Sequence, residues 1–374
     1  MAGIYIHIPF CKQACTYCNF YFSTSSYFKN NFITALAKEI AMQSHYLSEE
    51  EIKTVYFGGG TPSILETQEL EYLLTELSKH FSFAENLEIC LEANPDDLTP
   101  LKLKALKQLG INRLSIGIQS FKESDLLFMK RSHTAKEALQ CIEQARIEGF
   151  DNLSIDLIYG IPEQSNEDWL GNLNRLEGLG INHLSCYALT VEDNTPLYHD
   201  IRKGKIKALD EDLAAEHFKI LRNWSKSEHW EHYEISNLCK EGNYSRHNTA
   251  YWNDEKYLGL GPGAHSYNGK ERQWNVPNLK YYIEALKENK LQFEKESLSE
   301  ANQFNERIMT SIRTMWGIDK NLLKSKFPKY FPYFEKQIAF LDGDSIINTD
   351  RHLILSDEGK FYADGIAAKL FIED

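Results

Sequence analysis

Ile4-Tyr5-Ile6-His7-Ile8-Pro9-Phe10-Cys11-Lys12-Gln13-Ala14-Cys15-Thr16-Tyr17-Cys18 carries two signals in one run. Its first part alternates like a strand, with Ile4, Ile6 and Ile8 on one face and Tyr5 and His7 on the other. Its second part spaces three cysteines as C-x-x-x-C-x-x-C directly after that strand. Iron–sulfur clusters are held by cysteine thiolates, normally one per iron. Three thiolates on a four-iron cluster leave one iron without a protein ligand. Zinc and three unrelated core cysteines are the competing readings. Structural zinc takes four ligands, often as two close pairs. No second pair follows, since the next cysteine is Cys90, and His7 sits awkwardly on its strand for a fourth ligand.

Moving outward, short β-rich runs alternate with helical stretches through the first half. Strands are expected at Ile4–Phe10, Thr54–Gly58, Leu87–Glu92, Asn112–Ile118, Asn152–Tyr159 and His183–Leu189. Helices are expected at Leu101–Leu109, Ala135–Glu148 and Glu167–Leu179. Such alternation implies right-handed crossovers and a parallel sheet. A weak repeat supports it: Gly110-Ile-Asn-Arg-Leu-Ser, Gly149-Phe-Asp-Asn-Leu-Ser and Gly180-Ile-Asn-His-Leu-Ser each place a glycine at a helix stop before the next strand. The expected fold is α/β: a partial, six-stranded (β/α) TIM-like barrel, followed by a mostly helical C-terminal region with a small β-hairpin.

From about Leu197 helical patterns dominate, at Glu211–Ser227, Asn278–Glu288 and Glu300–Thr314, with a hairpin at Ser345–Asn348 and His352–Leu355. The expected division is residues 1–195, the barrel; 196–295, a connecting helical region; and 296–374, a C-terminal domain. The other four cysteines are scattered singly, and the odd total of 7 argues against a disulfide framework. The net charge of −13 and the lack of any Lys/Arg block speak against a nucleic-acid partner. No apolar run reaches the roughly 18 residues of a membrane span. With no signal-like start, the expected location is the cytoplasm.

The Tyr5-to-Cys18 run resembles the radical S-adenosylmethionine proteins, in particular the branch that holds coproporphyrinogen III dehydrogenase and the HemW-type heme chaperones. The resemblance runs in register over residues 4–190. It implies a 4Fe-4S cluster on Cys11, Cys15 and Cys18, with S-adenosylmethionine chelated at the open iron. It implies cofactor contacts from Tyr5, Gly59, Gly60, Thr61, Glu92, Gln119, Arg131 and Asp156. These residues have their own chemistry at expected strand ends, where parallel barrels place sites. Gly58-Gly59-Gly60 can bring backbone N–H groups close to a ligand. Asp156 is a charge inside an apolar strand and needs a partner, an internal cation such as Arg131 or a ligand. Structural roles are open to each: a helix cap for Glu92, a loop tie for Gln119, an ion pair for Asp156 and Arg131.

Within that branch, two departures point away from the dehydrogenase. Its fourth motif cysteine is Phe20 here, and the first strand begins at residue 4 without the extension that precedes it there. His247-Asn248-Thr249-Ala250-Tyr251-Trp252 resembles the H-N-x-x-Y-W signature of HemW-type proteins and implies heme contact by His247, Asn248, Tyr251 and Trp252. Imidazole is a common heme ligand, and Tyr and Trp offer flat faces to a porphyrin. A packing role for this aromatic cluster is the alternative, with Cys239, His265, His229 and His232 as rival ligands. Gly259-Leu-Gly-Pro-Gly-Ala-His265 looks only superficially like a dinucleotide fingerprint and is expected to be a close-approach loop with no strand before it. The implied function is heme binding and transfer to an unidentified acceptor, with an electron donor for the cluster. An oxygen-independent coproporphyrinogen III oxidase of porphyrin metabolism is the alternative.

Overall fold

The computed structural model describes residues 2–47 and 50–373. Six parallel strands form its centre: β1 (Ala2–Ile8), β2 (Ile52–Gly59), β3 (Phe83–Ala93), β4 (Arg113–Gln119), β5 (Asn152–Tyr159) and β6 (His183–Ala188). They pair in chain order, each joined to the next by one or two helices. Ile4, Ile6 and Ile8 are fully buried, as the alternation in the sequence requires. Capping boxes at Thr134/Glu137 and Ser165/Asp168 start two of the crossover helices. Gly110, Gly149 and Gly180 take φ of 86°, 83° and 67°, the left-handed stop that the repeat implied. The helix expected at Glu167–Leu179 ends at Asn174, and turns carry the chain on to Gly180.

The middle of the chain adds strands that the sequence reading did not expect. A hairpin of β7 (Glu231–Glu234) and β8 (Asn237–Cys239) pairs antiparallel with β6. At the other edge β9 (Lys256–Leu260) lies parallel to β1. Three antiparallel strands follow: β10 (His265–Tyr267), β11 (Glu271–Asn275) and β12 (Phe293–Ser297). The twelve strands make one continuous sheet, β12-β11-β10-β9-β1-β2-β3-β4-β5-β6-β8-β7. The loop beginning at Gly259 therefore has a strand before it, contrary to expectation. Pairing with β1 (Tyr5 opposite Gly259) fixes that strand, which local propensity does not announce. The expected helices of this region are present at Glu211–Ser227, Leu279–Lys287 and Glu300–Ile312.

The C-terminal part closes on its own core of Phe304, Phe327, Phe334 and Leu353. Its small sheet contains the expected hairpin, β14 (Ile346–Asn348) with β15 (His352–Leu355), and β13 (Ile318–Asp319) on the far side of β15. Among the described residues no helix is long and apolar enough to cross a membrane.

Candidate functional site

The cysteine loop leaves β1 at the C-terminal end of the barrel and is clipped down on both sides. Ser23 N donates to Pro9 O at 2.8 Å, and Cys11 N donates to Ser23 O at 3.0 Å. Thr16 bridges to the Phe128-Met129 turn and accepts from Leu197 N. These bonds make the loop a fixed platform that carries Cys11, Cys15 and Cys18, all partly exposed and unpaired. Thr61 Oγ1 donates to Cys11 Sγ at 3.4 Å, and Arg131 Nη1 to Cys15 Sγ at 3.3 Å. Burial pushes the Cys11 thiol up to about 11, against the opposing pull of Thr61 and Arg131. Among the described residues no three His, Cys, Asp or Glu side chains converge as one metal ion requires. Three thiols with a hydroxyl and a guanidinium donor beside them fit a multi-iron cluster, which takes one thiolate per iron.

Gly60 shows how closely the β2 loop meets this platform. A Cβ there would lie 2.7 Å from Phe10 O and 3.0 Å from Cys11 Sγ. Gly59 has φ 105°, and a Cβ on it would strike the His7 ring at 2.6 Å. Arg131 completes the floor. Its Nη2 donates to Asn94 Oδ1 (2.6 Å) and Gly117 O (2.7 Å), and its buried Nε has no acceptor among the described residues. Gln119 ends β4 with φ 68°, a conformation that costs about 1–3 kcal/mol for a residue with a side chain. A glycine cradle, an unsatisfied guanidinium N–H and a strained strand end fit a polar ligand lying across the strand ends beside the three thiols.

Two carboxylates sit deeper. Glu92 accepts from Tyr56 OH (2.8 Å) and Gly59 N (3.2 Å). Its burial and the nearby Asp156 push it up to about 7. Asp156 accepts from Ser115 Oγ at 3.2 Å, and burial raises it to about 6. The Asp156–Arg131 ion pair allowed by the sequence does not form, because Arg131 is committed to Cys15, Asn94 and Gly117.

The signature residues divide into two groups. The short helix Arg246–Trp252 puts His247 and Tyr251, four apart, on one face. His247 is 2% exposed and is a plug inside the barrel. Its Nδ1 is hydrogen-bonded to Thr54 Oγ1 (2.7 Å) and its Nε2 to Tyr251 OH (2.8 Å). Its ring stacks on Tyr56 at 5.0 Å, and burial drives its basicity down to about 3. Both ring nitrogens of His247 are thus hydrogen-bonded within the chain. Asn248 lines a small polar pocket in the barrel with Glu92 and Asp156. Tyr251 and Trp252 also line a cavity of about 690 Å³ that meets Asn19, Phe20 and Tyr21 of the cysteine loop. Tyr5 joins this wall, so it stands between the barrel interior and the cavity.

Sequence reasoning did not single out Tyr21, Tyr257, Tyr267 and Arg272, which line the same cavity beside Trp274. Their signal was a period of two, His265-x-Tyr267 and Arg272-x-Trp274, in segments too polar and short to stand out as strands. Of the rival ligands, Cys239 is fully buried and His232 Nε2 is bonded to Ile235 O at 2.9 Å.

Comparison with known proteins agrees with this geometry. Residues 5–176 match the Radical SAM superfamily. The chain is 34% identical to the heme chaperone HemW of Bacillus subtilis (strain 168) over 368 residues, covering 96% of each chain. It is 31% identical to the heme chaperone HemW of Lactococcus lactis over 372 residues, 99% of this chain and 97% of the relative. The fold superposes on coproporphyrinogen III oxidase (HemN) of Escherichia coli with a TM-score of 0.86, at 20% identity over 99% of this chain and 90% of that one. Measured end to end against those relatives, the chain belongs to the radical SAM superfamily and, within it, to the HemW family.

Proposed function

We propose that this chain is a cytoplasmic heme-binding and heme-transfer protein with a 4Fe-4S cluster on Cys11, Cys15 and Cys18. The observation that supports it best is the shared cavity. Its walls come from the cysteine loop (Asn19, Phe20, Tyr21) and from the signature helix (Tyr251, Trp252), and rings dominate the lining. About 690 Å³ lies within the usual range for a small-molecule site. A flat, largely apolar macrocycle with two acidic arms suits aromatic faces with a few polar groups at the rim. Buried Trp252 Nε1 and Arg272 Nε both lack acceptors among the described residues.

In this reading Tyr5, Gly59, Gly60, Thr61, Glu92, Gln119, Arg131 and Asp156 would hold S-adenosylmethionine beside the cluster. When bound, the cluster supplies one-electron reduction of the sulfonium. The chain orients the sulfonium compound, keeps water from the strand ends, and holds the thiolates through Thr61 and Arg131. The acceptor of the heme and the electron donor are separate proteins of the cell.

The test is anaerobic reconstitution followed by heme titration. The expected result is saturable binding with a Soret shift, and no protoporphyrinogen when coproporphyrinogen III and a reductant are supplied. Turnover of coproporphyrinogen III would establish the dehydrogenase reading instead. Phe20 speaks against it, since it is 64% exposed where that enzyme's motif has its fourth cysteine.

A further inference from the structure

The cavity has two histidines in its wall, and they differ in what their nitrogens are doing. His7 is buried, with Nε2 bonded to Tyr21 O (2.8 Å) and Nδ1 to Tyr5 OH (3.2 Å). His265 is exposed to the cavity, and neither ring nitrogen has a hydrogen-bond partner among the described residues. It stacks on Trp274 with centroids 6.0 Å apart and planes 24° off parallel.

The sheet register explains why it points there. His265 pairs with Trp274 and Tyr267 with Arg272 across β10 and β11. Directly opposed residues share a face, and so do residues two apart, so these four side chains form one patch. All four line the cavity, while the alternate residues Ser266 and Gln273 turn inward and are buried. The base of the patch is rigid. Buried Glu39 accepts from Gly261 N (2.8 Å), Asn275 Nδ2 (2.6 Å) and Tyr282 OH (2.6 Å), which clamps the β9–β10 turn. Gly259 lies so close beneath His265 that a Cβ there would overlap the His265 carbonyl oxygen at 2.0 Å.

Arg272 is the sole Lys or Arg among the cavity-lining described residues. Its Nη2 is 3.0 Å from Glu306 Oε2, and its guanidinium lies 5.8 Å over the Tyr267 ring, which fixes its direction; its buried Nε has no acceptor among the described residues.

Resting on the heme-binding reading above, we infer that His265 is the axial ligand of the heme iron and that Arg272 receives a propionate, with His247 positioning Tyr251 from behind the wall. An imidazole with a free nitrogen can bond iron, whereas one with both nitrogens hydrogen-bonded must first break a bond.

The experiment is titration of hemin into anaerobically reconstituted protein, read by the Soret maximum and by ferric EPR. Wild type, His265→Ala, Arg272→Gln and the control His229→Asn are compared, with cluster absorbance and far-UV circular dichroism confirming each fold. His265→Ala is expected to move the Soret maximum and weaken binding about tenfold or more, and added imidazole is expected to restore a wild-type-like spectrum. Arg272→Gln weakens binding without moving the maximum, and His229→Asn changes neither. A wild-type spectrum in His265→Ala overturns the inference and leaves the heme reading standing. No Soret shift in wild-type protein removes both.

Discussion

Glu92 is the residue whose environment makes the sharpest prediction. Its folded form holds a proton up to about 7, against an ordinary 4.5, because burial and Asp156 disfavour the carboxylate. Below about 4.5 the group is protonated in both states and costs nothing. Between about 4.5 and 7 unfolding releases a proton, so stability falls as pH rises, and above about 7 the cost is constant. Cluster-free Glu92→Gln should therefore gain on wild type by about 3 kcal/mol between pH 4.5 and 7.5 in urea unfolding. An unchanged difference across that range would mean that Glu92 is ionised throughout. Gly60 predicts something different. Its missing Cβ leaves room between Phe10 O and Cys11 Sγ. Gly60→Ala should keep the helix content seen by circular dichroism but lose most of the iron and sulfide taken up on reconstitution.

At the scale of elements, the β9–β10 turn depends on one buried carboxylate. Glu39→Ala leaves Gly261 N, Asn275 and Tyr282 without their acceptor and should cost at least about 1–3 kcal/mol, measured by denaturant unfolding. Loss below 1 kcal/mol would show that water replaces the carboxylate. What the sequence revealed about elements follows from the same physics. β5 was legible to the residue, since Asn152–Tyr159 is an apolar run between a glycine stop and a turn. The hairpin of β14 and β15 was legible from its alternation around Thr349-Asp350-Arg351. β12 was not, because Phe293–Ser297 is exposed along its whole length and is a strand only through its ladder with β11. The H-N-x-x-Y-W run folds within one short helix, Arg246–Trp252. Its sequence could not say that helical geometry would turn His247 and Trp252 in different directions.

For the whole molecule, the barrel core and the C-terminal core are separate clusters, joined by polar ties and by Phe361, which packs on Phe218 at 4.9 Å. Arg222 donates to Asp357 O and lies 5.0 Å over Phe361, while Arg313 reaches Glu234 and Asp364. Arg222→Ala should cost about 1–3 kcal/mol and raise amide exchange in residues 318–370 while leaving β1 to β6 unchanged. Equal acceleration everywhere would show one cooperative unit instead. The six-stranded parallel barrel was legible because its strands repeat one unit. The full sheet was not, since its outer strands join distant parts of the chain. The proposed cluster, with one iron that the chain leaves free, is tested most directly by EPR of reduced, anaerobically reconstituted protein. The prediction is a cubane signal, lost when Cys11, Cys15 and Cys18 are all replaced by Ala, whose g-values shift when S-adenosylmethionine is added. A cubane signal indifferent to S-adenosylmethionine, or no cubane at all, would contradict it.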